Sequence, residues 1–392
     1  MSNYGPDLQF RVFGAQEPPE FPMSYEGWEE RAREVLPAGP FDYVAGGAGG
    51  EDTMRANREA FYRWRIRPSM LQDVADRDIS ASFLGTPSAA PFLLAPVGVL
   101  SIVHPEAELA VARASAAMGV PMILSTVSSN TIEDVAAEMG EAPRWFQLYP
   151  SSDREVIRSM VGRAESSGYS AVVVTLDTTI IGFRERDLRN SYLPFLDGEG
   201  IANYVSDPAF RAGLERTPEE GPRGAVEHFL KVFGNPSLSW DEVEFIREQT
   251  SLPVLLKGIT HPADARLARE RGIDGLVVSN HGGRQVDGAV AALDALPEVR
   301  EAVGEEMPLL MDSGVRRGSD VLKALALGAS GVLVGRPYVY GLAAGGEKGV
   351  TEVVRNLMAD IDLELACSGR RSTAGVDRSL LSPAEGHTSH SS

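Results

Sequence analysis

From residue 90 onward, short runs of apolar and β-branched residues alternate with longer amphipathic, alanine-rich runs. Residues 92–96 read as a buried strand, and 106–118 as a helix stopped at Gly119. A second strand over 121–126 precedes a helix over 132–139 that ends at Gly140. The third strand spans 145–149, and a helix from 153 to 167, closed by Gly168, leads to the fourth over 171–177. After a long interruption come a helix over 240–249, a strand over 253–258, a helix over 263–271 closed by Gly272, and a strand over 275–280. The seventh strand covers 308–312, a helix over 319–327 ends at Gly328, and the eighth strand covers 331–335. Strands that are apolar throughout suit a parallel sheet covered by helices, and glycine after a helix supplies the left-handed stop. Eight such units in series predict a single closed (β/α)8 TIM barrel of the α/β class rather than an open doubly wound sheet. No GxGxxG pattern follows the first strand, which counts against a nicotinamide-binding domain.

Three regions fall outside this repeat. Residues 1–80, with a helical stretch near 25–35 and a glycine-rich turn at 46–50, are expected to pack over one end of the barrel formed by 81–375. Residues 178–238 form an insertion after strand four, far longer than an ordinary loop, and read as a lid. The polar segment 376–392 lacks apolar periodicity and is expected to be a frayed tail.

Composition narrows the partners. The formal charge of −18 argues against nucleic acid and anionic membrane, although a few arginines in a cleft can still hold an anionic substrate. A lone cysteine, Cys367, excludes an intrachain disulfide and a CxxC metal site. The histidines are scattered, with His387 and His390 in the tail and no HExxH pair, so no metal is expected. Residues 1–11 hold no signal-peptide pattern, and the most apolar run, 89–100, is short and broken by Pro91 and Pro96. The expected location is the cytoplasm.

In a barrel of this kind, chemistry sits at the C-terminal ends of the strands. Strand one ends at Pro96, Val97 and Gly98, strand two at Ser125, strand three with Gln147 and Tyr149, and strand four with Thr175 and Asp177. Strand five ends in Lys257, strand six runs into Asn280 and His281, strand seven ends in Asp312, and strand eight in Gly335 and Arg336. Gln147 and Tyr149, like Thr175 and Asp177, are two residues apart and share a strand face. If that face is inward, all of them converge on the mouth. After strand seven, Gly314 and Arg316 precede a helix, and loops after strands seven and eight commonly bind phosphate through backbone N–H groups and a helix N-terminus. Arg316 and Arg336 would add charge-assisted bonds, so a cofactor with a phosphate tail is implied.

His281 stands in Ser279-Asn280-His281-Gly282-Gly283-Arg284-Gln285. A lone histidine is more often structural, but this one follows a strand end, has two glycines beside it and an arginine three residues on. A base next to a carboxylate-binding arginine suits a 2-hydroxy acid. Asp177 either supports the imidazolium or caps a helix. Lys257 is either a cation beside an electron-rich flavin or the Schiff-base lysine of an aldolase.

At these residues the sequence resembles the FMN-dependent 2-hydroxy acid oxidases and dehydrogenases. The resemblance runs from about Met23 to about Leu365 and rests on SNHGGRQ at 279–285, DSGVRRGSDVLKALALGA at 312–329, LLAPVGV at 93–99 and WFQLY at 145–149. PMSYEGWEERA at 22–32, YVAGGAG at 43–49, NYVSDPAF at 203–210 and the insertion are most similar to the lactate 2-monooxygenase branch. The resemblance implies FMN as cofactor, a small 2-hydroxy acid such as L-lactate and O2 as substrates, and a homotetramer or homo-octamer. It implies that His281 removes the hydroxyl proton as hydride leaves for flavin N5. Arg184 and Arg284 would hold the carboxylate with Tyr43, Tyr149 would contact the substrate oxygen, and Asp177 would support His281. Lys257 would face the N1 edge of the flavin, with Ser125, Gln147 and Thr175 on its ring and Pro96, Val97 and Gly98 along it. Asp312, Gly314, Arg316, Gly335 and Arg336 would hold the ribityl phosphate. Gly98 stands where several relatives carry Ala, and Val127 where glycolate oxidase carries Trp. With the keto acid retained, the products are acetate, CO2 and water; with it released, pyruvate and hydrogen peroxide.

Overall fold

Alternation along the strands sorts the barrel's two faces. The computed structural model describes residues 3–384. Eight parallel strands, β1 (Phe92–Leu94), β2 (Met122–Ser125), β3 (Arg144–Leu148), β4 (Val172–Thr175), β5 (Val254–Lys257), β6 (Gly275–Val278), β7 (Leu309–Met311) and β8 (Gly331–Val334), close into a barrel in sequence order. Leu93, Ile123, Trp145, Val173, Leu255, Val277, Leu310 and Leu333 point inward and pack as one buried cluster. Their neighbours Phe92, Leu94, Phe146, Val172 and Val174 face the helices and join the larger core outside. Each inward position is followed two residues on by a group at the mouth: Ala95, Ser125, Gln147, Thr175, Lys257, Ser279, Asp312 and Gly335. The opposite end is closed by a hairpin, Ala81–Phe83 with Thr86–Ser88. Its Phe83 enters the interior cluster, and Thr86 Oγ1 accepts the indole N–H of Trp145 at 2.9 Å.

The N-terminal region divides between the side and the mouth of the barrel. Helix Tyr4–Ala15 lies on the long C-terminal helix Arg336–Ser368, where Gly5 N–H donates to Asp362 Oδ2 at 3.0 Å. Helix Ala38–Ala45 packs on the short helix Glu185–Arg189, and helix Asp52–Tyr62 packs on the turn His281–Gly283. The glycine-rich turn is tied to that turn by Ala48 N–H donating to Gly283 O at 2.8 Å.

The insertion after β4 is a built layer. It contains helices Glu185–Arg189, Ala202–Val205, Pro208–Ala212 and Pro222–Phe233. Tyr204 and Phe229 (4.8 Å between ring centroids), Phe229 and Phe233 (5.0 Å) and Phe195 and Phe229 (5.2 Å) form its aromatic core. That core reaches the barrel through Phe233 and Tyr149, 5.3 Å apart.

The expectation of a frayed tail from residue 376 is corrected in part. Residues Leu381–Pro383 pair antiparallel with Trp64–Ile66, and Arg67 N–H donates to Leu380 O at 2.8 Å. A strand this short gains its order from its partner, a contact that local periodicity does not carry. Residues 385–392, with His387 and His390, lie outside the described residues. Among the described residues, no helix is long and apolar enough to cross a membrane.

Candidate active site at the barrel mouth

The mouth opens into a cleft of about 1390 Å³, counted out to solvent. Lys257, His281, Arg284, Arg184, Tyr149 and Tyr43 line one part of it. Gly314, Arg316, Gly335 and Arg336 line another, and Pro96, Val97 and Gly98 form a wall. Three non-glycine residues around it adopt left-handed backbone: Val99 at φ 53°, His281 at φ 58° and Ser313 at φ 75°. Such residues persist only where their surroundings over-determine them. For the His281 turn this holds: Ser279 Oγ accepts from His281 N–H (3.0 Å), Ser313 Oγ from Gly282 N–H (3.0 Å) and Asn280 Oδ1 from Gly283 N–H (3.1 Å). Asn280 is in turn locked to Asn57 by reciprocal amide bonds of 2.9 and 2.8 Å.

His281 Nδ1 lies 2.7 Å from Asp177 Oδ1, and Thr178 Oγ1 is 3.2 Å from the same nitrogen. Burial works to raise the Asp177 carboxyl, but facing His281 and Lys257 hold it down at about 2. Burial lowers the imidazole, Asp177 opposes it, and with Lys257 and Arg184 adding to burial the ring sits below its ordinary value. At neutral pH the arrangement is therefore a neutral imidazole whose Nδ1–H is given to a carboxylate, leaving Nε2 as an acceptor. Gly258, at φ 107°, makes room for Asp177: a Cβ there would lie 2.9–3.0 Å from the carboxylate side chain.

Lys257 Nζ donates to Ser279 Oγ at 2.9 Å and lies 3.2 Å from Asp312 Oδ2. Burial acts to lower its pKa, yet Asp312 and Asp177 outweigh that and raise it. Held between Ser279 and Asp312, the lysine is placed as a fixed positive charge at the mouth.

Arg284 and Arg184 both lie over the Tyr43 ring, at 5.0 and 5.9 Å from its centroid. Burial first, then Arg184 and Arg336, draws the Arg284 pKa down to about 9, so it remains charged at neutral pH. Its hydrogen bonds go to the Tyr43 and Gly46 carbonyls. A buried cation group of this kind is relieved by an incoming carboxylate. Burial pushes the Tyr149 hydroxyl up to about 12, keeping it a neutral donor.

Ser125, Gln147 and Thr175 are buried in a hydrogen-bonded chain: Ser125 Oγ donates to Gln147 Oε1 (3.0 Å) and Gln147 Nε2 to Thr175 Oγ1 (2.9 Å). They form the floor beneath the cleft rather than its lining. Gly98 is confined: a Cβ would sit 2.5 Å from both the carbonyl oxygen and a methyl of Val127.

The phosphate end departs from the sequence reading in two ways. The helix Gly318–Ala326 does not offer a free N-terminus, because Asp360 Oδ2 accepts from Gly318 N–H (2.6 Å) and Asp320 Oδ2 from the N–H groups of Arg316 and Arg317 (3.0 and 3.2 Å). The uncapped N-terminus is that of Arg336–Ser368, behind Gly335. Arg336 directs its guanidinium to three carbonyls, Val44 (3.0 Å), Gly282 (3.0 Å) and Gly46 (2.8 Å), bracing the N-terminal turn against the His281 turn. Arg316 stacks over Tyr25 at 3.9 Å and faces the cleft. Residues that sequence reasoning missed include Arg58, which lines the cleft while pairing with Asp320 at 2.8 Å, and Thr178, Gly258 and Gln285. Only Gln285 lies in a motif singled out from the sequence.

Residues 32–383 match the model of the FMN-dependent dehydrogenase family. The chain is 45% identical over 370 residues to an L-lactate oxidase of Lysinibacillus sphaericus, covering 94% of this chain and 95% of that protein. It is 41% identical over 357 residues to human 2-hydroxyacid oxidase 1, covering 90% and 95%. Among solved structures, mandelate oxidase superposes with a TM-score of 0.83 at 39% identity, covering 94% of this chain and 100% of that one. A barrel with an anion-seeking cation cluster, a neutral base and a fixed ammonium at one mouth is a site for binding an anionic substrate and removing a proton from it, and with the family match it is that of an oxidoreductase. The chain belongs to the FMN-dependent dehydrogenase family, and FMN is its cofactor. The residues present fit that group: the Arg336–Ser368 helix presents an uncapped N-terminus, and Lys257 supplies a buried positive charge.

Proposed function

We propose that this protein oxidises small L-2-hydroxy acids and acts on L-lactate as a lactate 2-monooxygenase, forming acetate, CO2 and water. The observation that carries the oxidation is the His281–Asp177 pair beside Lys257 and the Arg184/Arg284 cluster. Bound FMN supplies the acceptor for the hydride that leaves the α-carbon. Arg184 and Arg284 hold the substrate carboxylate, and the Tyr43 ring beneath them fixes their planes. Tyr149 donates its hydroxyl to a substrate oxygen. His281 Nε2 takes the hydroxyl proton, and Asp177 stabilises the resulting imidazolium. Lys257 would balance negative charge at the cofactor, and Ser125, Gln147 and Thr175 would form the floor beneath its ring. The phosphate would be held by Gly314, Arg316, Gly335, the Arg336 N–H and the helix behind it, with Asp312 anchoring Lys257.

The monooxygenase outcome is favoured by the structured layer over the mouth, whose Ile181, Phe195 and Phe233 line the cleft and favour retention of the keto acid. Retained pyruvate and hydrogen peroxide balance as acetate, CO2 and water: peroxide oxygen adds to the keto carbon, the bond to the carboxylate breaks to release CO2, and the O–O bond breaks with its outer oxygen leaving as water. The second reading, an oxidase releasing pyruvate and hydrogen peroxide, is favoured by the relatives named L-lactate oxidase. Product analysis after aerobic turnover of L-lactate distinguishes them. Acetate and CO2 support the monooxygenase, and pyruvate with stoichiometric peroxide overturns it. A cytoplasmic homo-oligomer completes the proposal.

A further inference from the structure

Between β4 and Arg184 the chain runs irregularly over residues 176–184. This stretch carries Asp177 and Thr178, which touch His281, and Ile181, which lines the cleft, and it delivers Arg184. Apolar burial does not hold it, for Ile180 is 67% exposed and Phe183 69% exposed. The side-chain amide of Gln285 is bonded to it throughout. Nε2 donates to Asp177 O at 2.7 Å and to Ile180 O at 2.8 Å. Oε1 accepts from Gly182 N–H at 3.3 Å and from an Arg184 guanidinium nitrogen at 3.1 Å. Two donors and two lone pairs are the full capacity of a carboxamide, and all are used on one segment. Gly182 permits this closeness, since a Cβ there would lie 2.6 Å from the carbonyl oxygens of Arg284 and Gln285.

We propose that Gln285 is a positioning residue that latches residues 177–184 over the bound acid, and that the latch determines how long the keto acid stays while oxygen reacts. The product consequence rests on the monooxygenase reading above. Gln285 lies outside the cleft lining; it acts through Ile181 and Arg184, which line the cleft. The amide chemistry matters because the same group must donate to carbonyls on one side and accept from N–H groups on the other. Gln285→Glu keeps the acceptors but sets a carboxylate against two carbonyls. Gln285→Asn keeps the chemistry on a stem one methylene shorter.

The test uses the FMN-loaded enzyme and two readouts. Aerobic L-lactate turnover gives the acetate-to-pyruvate ratio, which does not depend on how fast the acid is oxidised. Stopped-flow displacement gives the release rate of oxalate, a mimic of the keto acid. We expect the ratio to fall, and oxalate release to rise, by about tenfold in Gln285→Glu, the scale of one or two lost net hydrogen bonds. Gln285→Asn should move both in the same direction by less, and it carries the test if Gln285→Glu fails to retain FMN. Wild-type values of both readouts in the variants overturn the latch, as does a changed ratio without faster release. If the wild-type enzyme itself yields pyruvate and peroxide, the monooxygenase reading fails; oxalate release then decides the latch alone, faster release supporting it and unchanged release overturning it.

Discussion

The 2.7 Å contact between His281 Nδ1 and Asp177 Oδ1 sets the tautomer on which the site's chemistry depends. An asparagine at 177 can present its NH2 to Nδ1 and turn the ring proton outward, onto the nitrogen that must accept. Asp177→Asn is expected to retain FMN and lower kcat/KM by about 10²- to 10⁴-fold, the usual scale for a disabled general base. Anaerobic bleaching of the flavin by L-lactate measures this, and wild-type bleaching would sink the assignment.

The same geometry sets the direction of the pH profile. Burial holds the His281 ring below the ordinary imidazole value of about 6.5, so the base is neutral and competent above it. As pH falls through the lowered value, the ring takes a proton and kcat/KM should decline. A limb rising above pH ~7 in the anaerobic reduction rate would contradict this, because it would place the base's pKa above rather than below the ordinary value.

Arg284→Lys should weaken acid binding and oxidation together, lowering kcat/KM by about 10- to 100-fold. An ammonium cannot present the paired donors of a guanidinium to a carboxylate, nor stack over Tyr43 in the same way. Equal affinity of the variant for oxalate would show that the carboxylate is held elsewhere.

Gly258→Ala tests a residue with no chemistry of its own. The added Cβ would meet Asp177 at 2.9–3.0 Å in a left-handed backbone, so the carboxylate must shift from His281. The expected cost is about 1–3 kcal/mol of stability, with a loss of reduction rate exceeding any loss of FMN affinity. Thermal denaturation and stopped-flow reduction separate the two, and unaltered reduction would show that Asp177 tolerates displacement.

Arg316→Met should weaken FMN binding by about tenfold or more, through loss of a charge-assisted bond to the phosphate, while leaving apo-protein stability nearly unchanged. Fluorescence titration of FMN into apo-protein reads this out. Unchanged affinity would assign the phosphate wholly to backbone N–H groups and the helix behind Gly335.

The sequence was most legible where a period carried information. Alternation in 145–149 and 171–177 put Gln147, Tyr149, Thr175 and Asp177 on shared faces, and inward Trp145 and Val173 turn those faces into the barrel. Contacts between distant segments left no such trace. Asp360 caps a helix whose first residue stands 42 positions earlier, and nothing near either residue announces it. The helix Arg336–Ser368 is broken at Gly345 and Gly346, which blurs its period, and the helices Ala202–Val205 and Pro208–Ala212 are too short to express one. The place of Arg336 after β8 suggested a phosphate ligand, but nothing near it announced the three carbonyls, brought together only by the folded chain, to which its guanidinium also donates.

Phe83, seated in the barrel interior from the far-end hairpin, makes the cylinder a cul-de-sac. The packed interior leaves no route from the far end, so whatever reaches Lys257 and His281 comes from the side of the mouth and the layer above it.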